Sequence, residues 1–171
     1  MATDLQAKFN AISDWERKCR QLACSVYNMG EKVPDAHWRT LILDHIKFPD
    51  KRCATSDRKG YDLFARRFSG NVSDAQTPHD ELYTMYARSV ATSAAGRPYI
   101  STRKGRVGLG PPGVKQGDVI CVFYGAAVPY FLRFDESGVA QLVGDGFVHG
   151  LMYGEALRID DRGDDEMISI V

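Results

Sequence analysis

The periodicity of apolar residues changes near residue 95, and this change constrains the fold of the 171-residue chain more than any other feature. Before it, apolar residues recur at three- and four-residue steps, which indicates amphipathic helices. After it, short apolar runs are separated by glycines and prolines, which is typical of strands joined by tight turns. We therefore expect a helical part over 1–95 and a β-rich part over 96–171, folding together as one cooperative domain.

Four helices are predicted in the first part. The first runs from Thr3 or Asp4 to about Tyr27, with an apolar stripe made of Leu5, Phe9, Ile12, Trp15, Cys19, Leu22 and Val26. Pro34 opens a second, shorter helix with Trp38, Leu41, Ile42 and His45 on its inner side, and a loop follows over 48–57. Asp57 is expected to cap the third helix, and Thr77-Pro78 to start the fourth after a linker over 70–74.

The second part is predicted to contain short antiparallel strands. They are Tyr99–Thr102, Val107–Leu109, Asp118–Tyr124, Val128–Phe134, Ala140–Val143 paired with Phe147–Val148, and Ala156–Ile159, with Met167–Val171 as a further edge strand. The predicted fold class is α+β, in which the N-terminal helices pack on a small curved antiparallel sheet or barrel.

Charge, cysteine and histidine content argue against several functional classes. Lys and Arg total 22 and Asp and Glu total 22, so the chain lacks the basic excess that nucleic acid binding requires. No apolar run is long enough to span a membrane, which favours a cytoplasmic location without membrane partners. The four cysteines form no C-x-x-C pair and are interpreted as free thiols, and the four histidines lack zinc-ligand spacing. We expect neither a metal nor another cofactor.

Three segments of the β-rich part carry a family resemblance. They are TRKGRVGLGPP at 102–112, GDVICVFYGAAVPYFLRF at 117–134 and LVGDGFVHGLMYGEAL at 142–157. Together they resemble the C-terminal region of fungal heterokaryon-incompatibility (HET) domain proteins. HWRTLILD at 37–44 is similar to a helical segment that lies upstream in that family.

The resemblance also implies what this sequence lacks. In the family, the HET domain usually precedes this region and is the part associated with the cell-death response. The sequence begins at Met1 without it, so we expect that the chain does not execute that response alone. A different fungal role, such as a step in natural-product biosynthesis, is the hypothesis that follows from the missing domain.

Arg133 is the first candidate functional residue. Strand alternation places Phe131 and Arg133 on one face and Tyr130, Leu132 and Phe134 on the other. Two interpretations of Arg133 remain open. It is either structural, as a surface residue with a packed stem or in an ion pair with Asp118, Asp145 or Glu155, or it points into a pocket and polarises a carbonyl group or binds a carboxylate of a ligand.

His149 and Glu155 are the other candidates for chemistry. His149 lies between glycine and apolar residues, which is typical of a structural histidine, but Glu155 can also meet it across a turn and form an acid–base pair. No nucleophile motif or metal set supports covalent or metal-assisted catalysis.

Two functional hypotheses follow. The first is a cofactor-independent enzyme of fungal natural-product biosynthesis, a cyclase or isomerase of pericyclic or Diels–Alder type that holds a hydrophobic small molecule in a reactive conformation. Its catalytic residues are Arg133, His149 and Glu155, and its substrate-binding residues are Tyr124, Phe131, Tyr153 and Trp38. The second is a non-catalytic interaction or regulatory module related to HET allorecognition proteins. A homo-oligomer is compatible with both.

Overall fold

A computed structural model describes residues 2–27, 34–47, 49–68, 80–157 and 166–171. The helices are α1 Ala2–Tyr27, α2 Asp35–Thr40, α3 Arg58–Phe68 and α4 Glu81–Ser93. The strands are β1 His45–Lys47, β2 Asp50–Arg52, β3 Tyr99–Ser101, β4 Val107–Leu109, β5 Val119–Cys121, β6 Tyr130–Phe134, β7 Ala140–Asp145 and β8 Phe147–Val148. The fold is α+β, as predicted, with N-terminal helices and C-terminal antiparallel sheets.

The chain divides into two compact units, Met1–Ala95 and Gly96–Val171, here called the helical unit and the β unit. The helical unit contains α1 to α4 and the β1–β2 hairpin, and the β unit contains the remaining strands. No helix in the described part of the chain is long and apolar enough to cross a membrane.

The buried side of α1 differs from the predicted apolar stripe. Glu16, Cys19 and Ala23 are buried at helical spacing, whereas Ile12 is exposed. A carboxylate therefore occupies the side of α1 that faces the core of the helical unit, and its partners are described below.

The chain reverses between α2 and β1, where a helix followed by a loop was predicted. Leu43 and Asp44 both have φ of 55°, in the left-handed region that non-glycine residues rarely adopt. The buried Asp44 carboxylate accepts hydrogen bonds from Arg39 Nη1 and Arg52 Nε, which hold the reversal in place. His45 consequently begins β1 and pairs with Arg52 on β2, instead of extending the inner side of α2.

The next two helices have carboxylates at their starts, but Asp57 does not cap α3 itself. It ends the 3-10 turn Thr55–Asp57 that leads into α3, and its Oδ2 accepts a hydrogen bond from the Ala54 N–H at 2.8 Å, at the start of that turn. Asp80 caps α4 by accepting from the Leu82 N–H at 2.9 Å. The predicted start of the fourth helix at Thr77-Pro78 and the linker over 70–74 lie outside the described residues.

The β unit contains two three-stranded antiparallel sheets, in the orders β3-β4-β8 and β5-β6-β7, and the described strands do not close into a barrel. The prediction that Ala140–Val143 pairs with Phe147–Val148 is wrong, because β7 pairs with β6 and β8 pairs with β4. Gly146 lies where the chain passes between the sheets. A Cβ there would lie 2.5 Å from the Phe131 ring and 2.8 Å from the Leu109 carbonyl oxygen, so only glycine fits.

The predicted strand over 156–159 also differs from the structure. Glu155–Leu157 forms a 3-10 turn, and residues 158 and 159 lie outside the described residues. Ile170, in the predicted edge strand Met167–Val171, forms a single parallel bridge with Ala140 of β7.

Candidate functional site

Arg133 on β6 is held by Asp118, which immediately precedes β5. Arg133 Nε donates to Asp118 Oδ1 at 2.8 Å, and Arg133 Nη2 donates to Asp118 Oδ2 at 2.8 Å. Val119 pairs with Leu132, so Asp118 lies opposite Arg133 across the two strands. The strand register therefore brings the carboxylate and the guanidinium group together on one face of the sheet. Of the partners that the sequence left open, the structure therefore selects Asp118.

The ion pair also fixes the glycine-rich loop that precedes β5. Arg133 Nη2 donates to the Gly113 carbonyl at 3.0 Å, and Asp118 Oδ2 accepts from the Lys115 N–H at 2.7 Å. Gly113 and Gly117 have φ of +84° and +99°, which only glycine adopts without strain. The hydrogen bonds from Arg133 hold the pKa of Asp118 below its ordinary value, so the carboxylate remains ionised.

The other two predicted catalytic residues lie after β8. His149 is half-buried, and its backbone N–H donates to the Val107 carbonyl at 2.9 Å. Glu155 Oε2 accepts from the Tyr153 backbone N–H at 2.6 Å, a local contact within a turn.

The four predicted substrate-binding residues lie in different environments. Phe131 is buried in the β unit next to Gly146, whereas Tyr124 and Tyr153 are exposed. Trp38 is fully buried in the helical unit, where its Nε1–H donates to Asp35 Oδ1 at 3.1 Å. Their role in substrate binding stays a prediction.

One face of the β5-β6-β7 sheet, opposite Arg133, is apolar and partly exposed. Register pairs Leu132 with Val119 on one side and with Leu142 on the other, so these three side chains share a face. Phe134, two residues beyond Leu132, lies on the same face. Val119, Phe134 and Leu142 are 44%, 39% and 48% exposed, while Leu132 between them is buried. We call this surface the outer face.

Acidic side chains accompany the outer face. Asp135 and Glu136 are exposed in the turn that directly follows Phe134, and Glu166 is close enough to Cys121 on β5 to contribute to the raised pKa of that thiol after burial. The outer face is thus an apolar surface with carboxylates at its margin, a combination suited to a partner with apolar and basic residues.

Sequence reasoning missed a buried polar cluster in the helical unit. Glu16 Oε1 on α1 accepts a hydrogen bond from the Tyr61 hydroxyl on α3 at 3.0 Å, and His37 Nε2 on α2 lies 3.4 Å from the same oxygen. All three side chains are almost fully buried. The available signal was the spacing of Glu16 with Cys19 and Ala23, which places it on the buried side of α1.

Burial and charge set the protonation states of this cluster. Burial acts to raise the pKa of Glu16, but the contact with His37 and the charge of Arg20 outweigh it, so this pKa is lowered. Burial lowers the pKa of His37 and raises that of Tyr61. At neutral pH the cluster therefore contains an ionised carboxylate, a neutral imidazole and a neutral phenol, which is an arrangement suited to joining three helices.

The C-terminal half of the chain matches a known family. The family model of the Het-6 beta-barrel domain matches residues 76–168, more than half of the chain, and the chain belongs to this family. No curated protein and no solved structure matches the chain significantly.

Proposed function

We propose that this member of the Het-6 beta-barrel family is an interaction module that binds a protein partner through the outer face. The observation that carries the proposal is the set of exposed apolar side chains at Val119, Phe134 and Leu142, which surround the buried Leu132 on one sheet face. Isolated exposed apolar residues are common on protein surfaces, whereas contiguous ones mark interaction sites.

The engagement of Arg133 supports the same function. Its guanidinium group donates three hydrogen bonds to Asp118 and Gly113, on the sheet face opposite the exposed apolar side chains. This arrangement fits an arginine that shapes the scaffold of a binding surface, since those three donor positions already have protein acceptors.

The acidic margin defines the chemistry of the partner. Asp135, Glu136 and Glu166 favour a protein segment in which apolar side chains alternate with or are flanked by lysine or arginine. A purely apolar or acidic segment would lose this attraction or be repelled.

Binding of a synthetic peptide that alternates lysine with leucine and valine tests the proposal. Fluorescence anisotropy should show binding to the full chain and a loss of at least about tenfold, equivalent to about 1.4 kcal/mol, for Leu142→Lys. Ile12→Lys is the matched control because Ile12 is equally apolar and exposed but lies on α1, and it should bind as the wild type does. Equal affinity of the Leu142→Lys variant and the wild type would contradict the proposal.

The cofactor-independent cyclase or isomerase stays a prediction with its own test. If Arg133 polarises a substrate, Arg133→Ala abolishes turnover while the chain keeps its circular dichroism spectrum. Metabolite profiles of the native host carrying Arg133→Ala, compared with the wild type and with a gene deletion, measure this. Identical profiles in all three strains would count against the enzyme.

A further inference from the structure

The outer edge of β7 carries a contact from residues distant in sequence. Ile170 forms a parallel bridge with Ala140, the first residue of β7. The Ala140 N–H donates to the Ser169 carbonyl at 3.4 Å, and the Val171 N–H donates to the Ala140 carbonyl at 3.0 Å. Residues 169–171 thus add to the sheet in the way a short parallel strand does.

This contact covers only part of the edge. Within the described residues the bridge pairs Ala140 and does not continue along β7. The backbone N–H and C=O groups of successive residues in a strand point to opposite edges. Those of Leu142, two residues after Ala140, therefore point to the same edge as those of Ala140. A longer strand would therefore find further backbone partners that residues 169–171 do not use.

The side chains of the added segment are also weakly held. Ile170 and Val171 are exposed, and Ile168, just before the segment, is half-buried. Two backbone hydrogen bonds and little buried apolar area stabilise the contact, so displacing it costs little.

We propose that the outer edge of β7 is a strand-addition site for an extended apolar segment of a protein partner, and that residues 169–171 are its displaceable occupant. The inference rests on the proposed function, because Leu142 belongs both to this edge and to the outer face. The partner strand runs parallel to β7, as the resident segment does, so backbone hydrogen bonds supply affinity and the apolar face selects alternate side chains.

Competition by the resident segment has a calculable size. A tethered segment acts at an effective concentration of about 1 mM. If the untethered segment binds the edge with a Kd of about 100 µM, it weakens the apparent affinity of a competing peptide by one plus the ratio of its effective concentration to that Kd, or about tenfold. Releasing the resident segment should therefore increase the apparent affinity for the peptide about tenfold.

The test uses the full chain and a fluorescein-labelled peptide, KMISIVK, which contains the sequence of residues 167–171 between lysines. Val171→Pro removes the N–H that bonds to Ala140 and so releases the segment. This variant should bind the peptide about tenfold more tightly than the wild type. Met167→Ser, at a fully exposed position, should leave the affinity unchanged. Equal affinities for Val171→Pro and the wild type, or no binding to either, would overturn the inference.

The two proposals fail in different ways. Tighter KMISIVK binding by Val171→Pro, together with unchanged binding of the lysine–leucine peptide by Leu142→Lys, would support the edge site and reject the outer face as the docking surface. Unchanged KMISIVK binding by Val171→Pro, together with weaker binding of the lysine–leucine peptide by Leu142→Lys, would reject displacement of residues 169–171. It would leave the proposed function standing.

Discussion

Removing the Glu16 carboxylate should destabilise the helical unit by a predictable amount. Glu16→Ala removes the buried oxygen that accepts from the Tyr61 hydroxyl and lies beside His37 Nε2. Removing the acceptor of a buried hydrogen bond costs about 1–3 kcal/mol. The loss is partly offset because the folded state no longer has to bury an ionised carboxylate. We expect a net loss of about 2–4 kcal/mol in the free energy of unfolding.

Urea denaturation followed by tryptophan fluorescence measures this loss. Both tryptophans, Trp15 and Trp38, lie in the helical unit, so the signal reports on that unit. With a urea dependence of about 2 kcal/mol per molar, the midpoint should fall by roughly 1–2 M. Glu16→Gln keeps an acceptor oxygen and should lose only about 1 kcal/mol. Equal midpoints for Glu16→Ala and the wild type would refute the reasoning, as would a Glu16→Gln variant no more stable than Glu16→Ala.

The same cluster predicts how stability depends on pH. The lowered pKa of His37 means that the unfolded chain takes up a proton first as pH falls below about 6.5, so folding stability decreases. The lowered pKa of Glu16 adds a second loss below about pH 4.5, down through its folded pKa. In His37→Leu, the decrease in stability between pH 7 and pH 5 should be smaller than in the wild type. An unchanged pH profile in this variant would exclude a neutral, buried His37.

Three further substitutions test other parts of the structure. Arg133→Ala should lower the melting temperature of the β unit and increase amide exchange at Lys115, whose N–H donates to the Asp118 carboxylate that Arg133 holds; unchanged exchange would refute that role. Gly146→Ala should cost about 1–3 kcal/mol because its Cβ would collide with the Phe131 ring and the Leu109 carbonyl; wild-type stability in thermal unfolding would contradict the packing. Asp44→Ala should cost about 2–3 kcal/mol by releasing Arg39 and Arg52 from the reversal before β1, and wild-type stability in urea would contradict this.

The parts of the fold that follow from local patterns could be predicted. Helical periodicity places α1 close to its observed bounds, and the Lys104-Gly105 turn correctly joins β3 and β4, with Gly105 at φ +71°. Such elements depend on neighbouring residues, whose spacing is visible in the sequence.

Parts that depend on distant contacts could not be predicted. The reversal at Leu43 and Asp44 contains no glycine or asparagine, the residues that usually indicate a left-handed backbone. It is stabilised instead by Arg39 and by Arg52 from the following strand. The separation of β7 and β8 into different sheets is a matter of long-range pairing that no local pattern encodes.

The same distinction applies to the candidate site. Alternation correctly separated the face of Arg133 from that of Phe134. The choice of Asp118 as the partner required the register of Val119 with Leu132, and the exposure of the outer face required knowing what covers each strand.

Chemical-shift mapping of the full chain during titration with the lysine–leucine peptide tests the central claim most directly. The proposed module predicts that the largest amide shifts occur at Val119, Phe134 and Leu142, on the outer face. Shifts concentrated instead at Arg133, Asp118 and His149 would contradict it and would favour a ligand site beside Arg133.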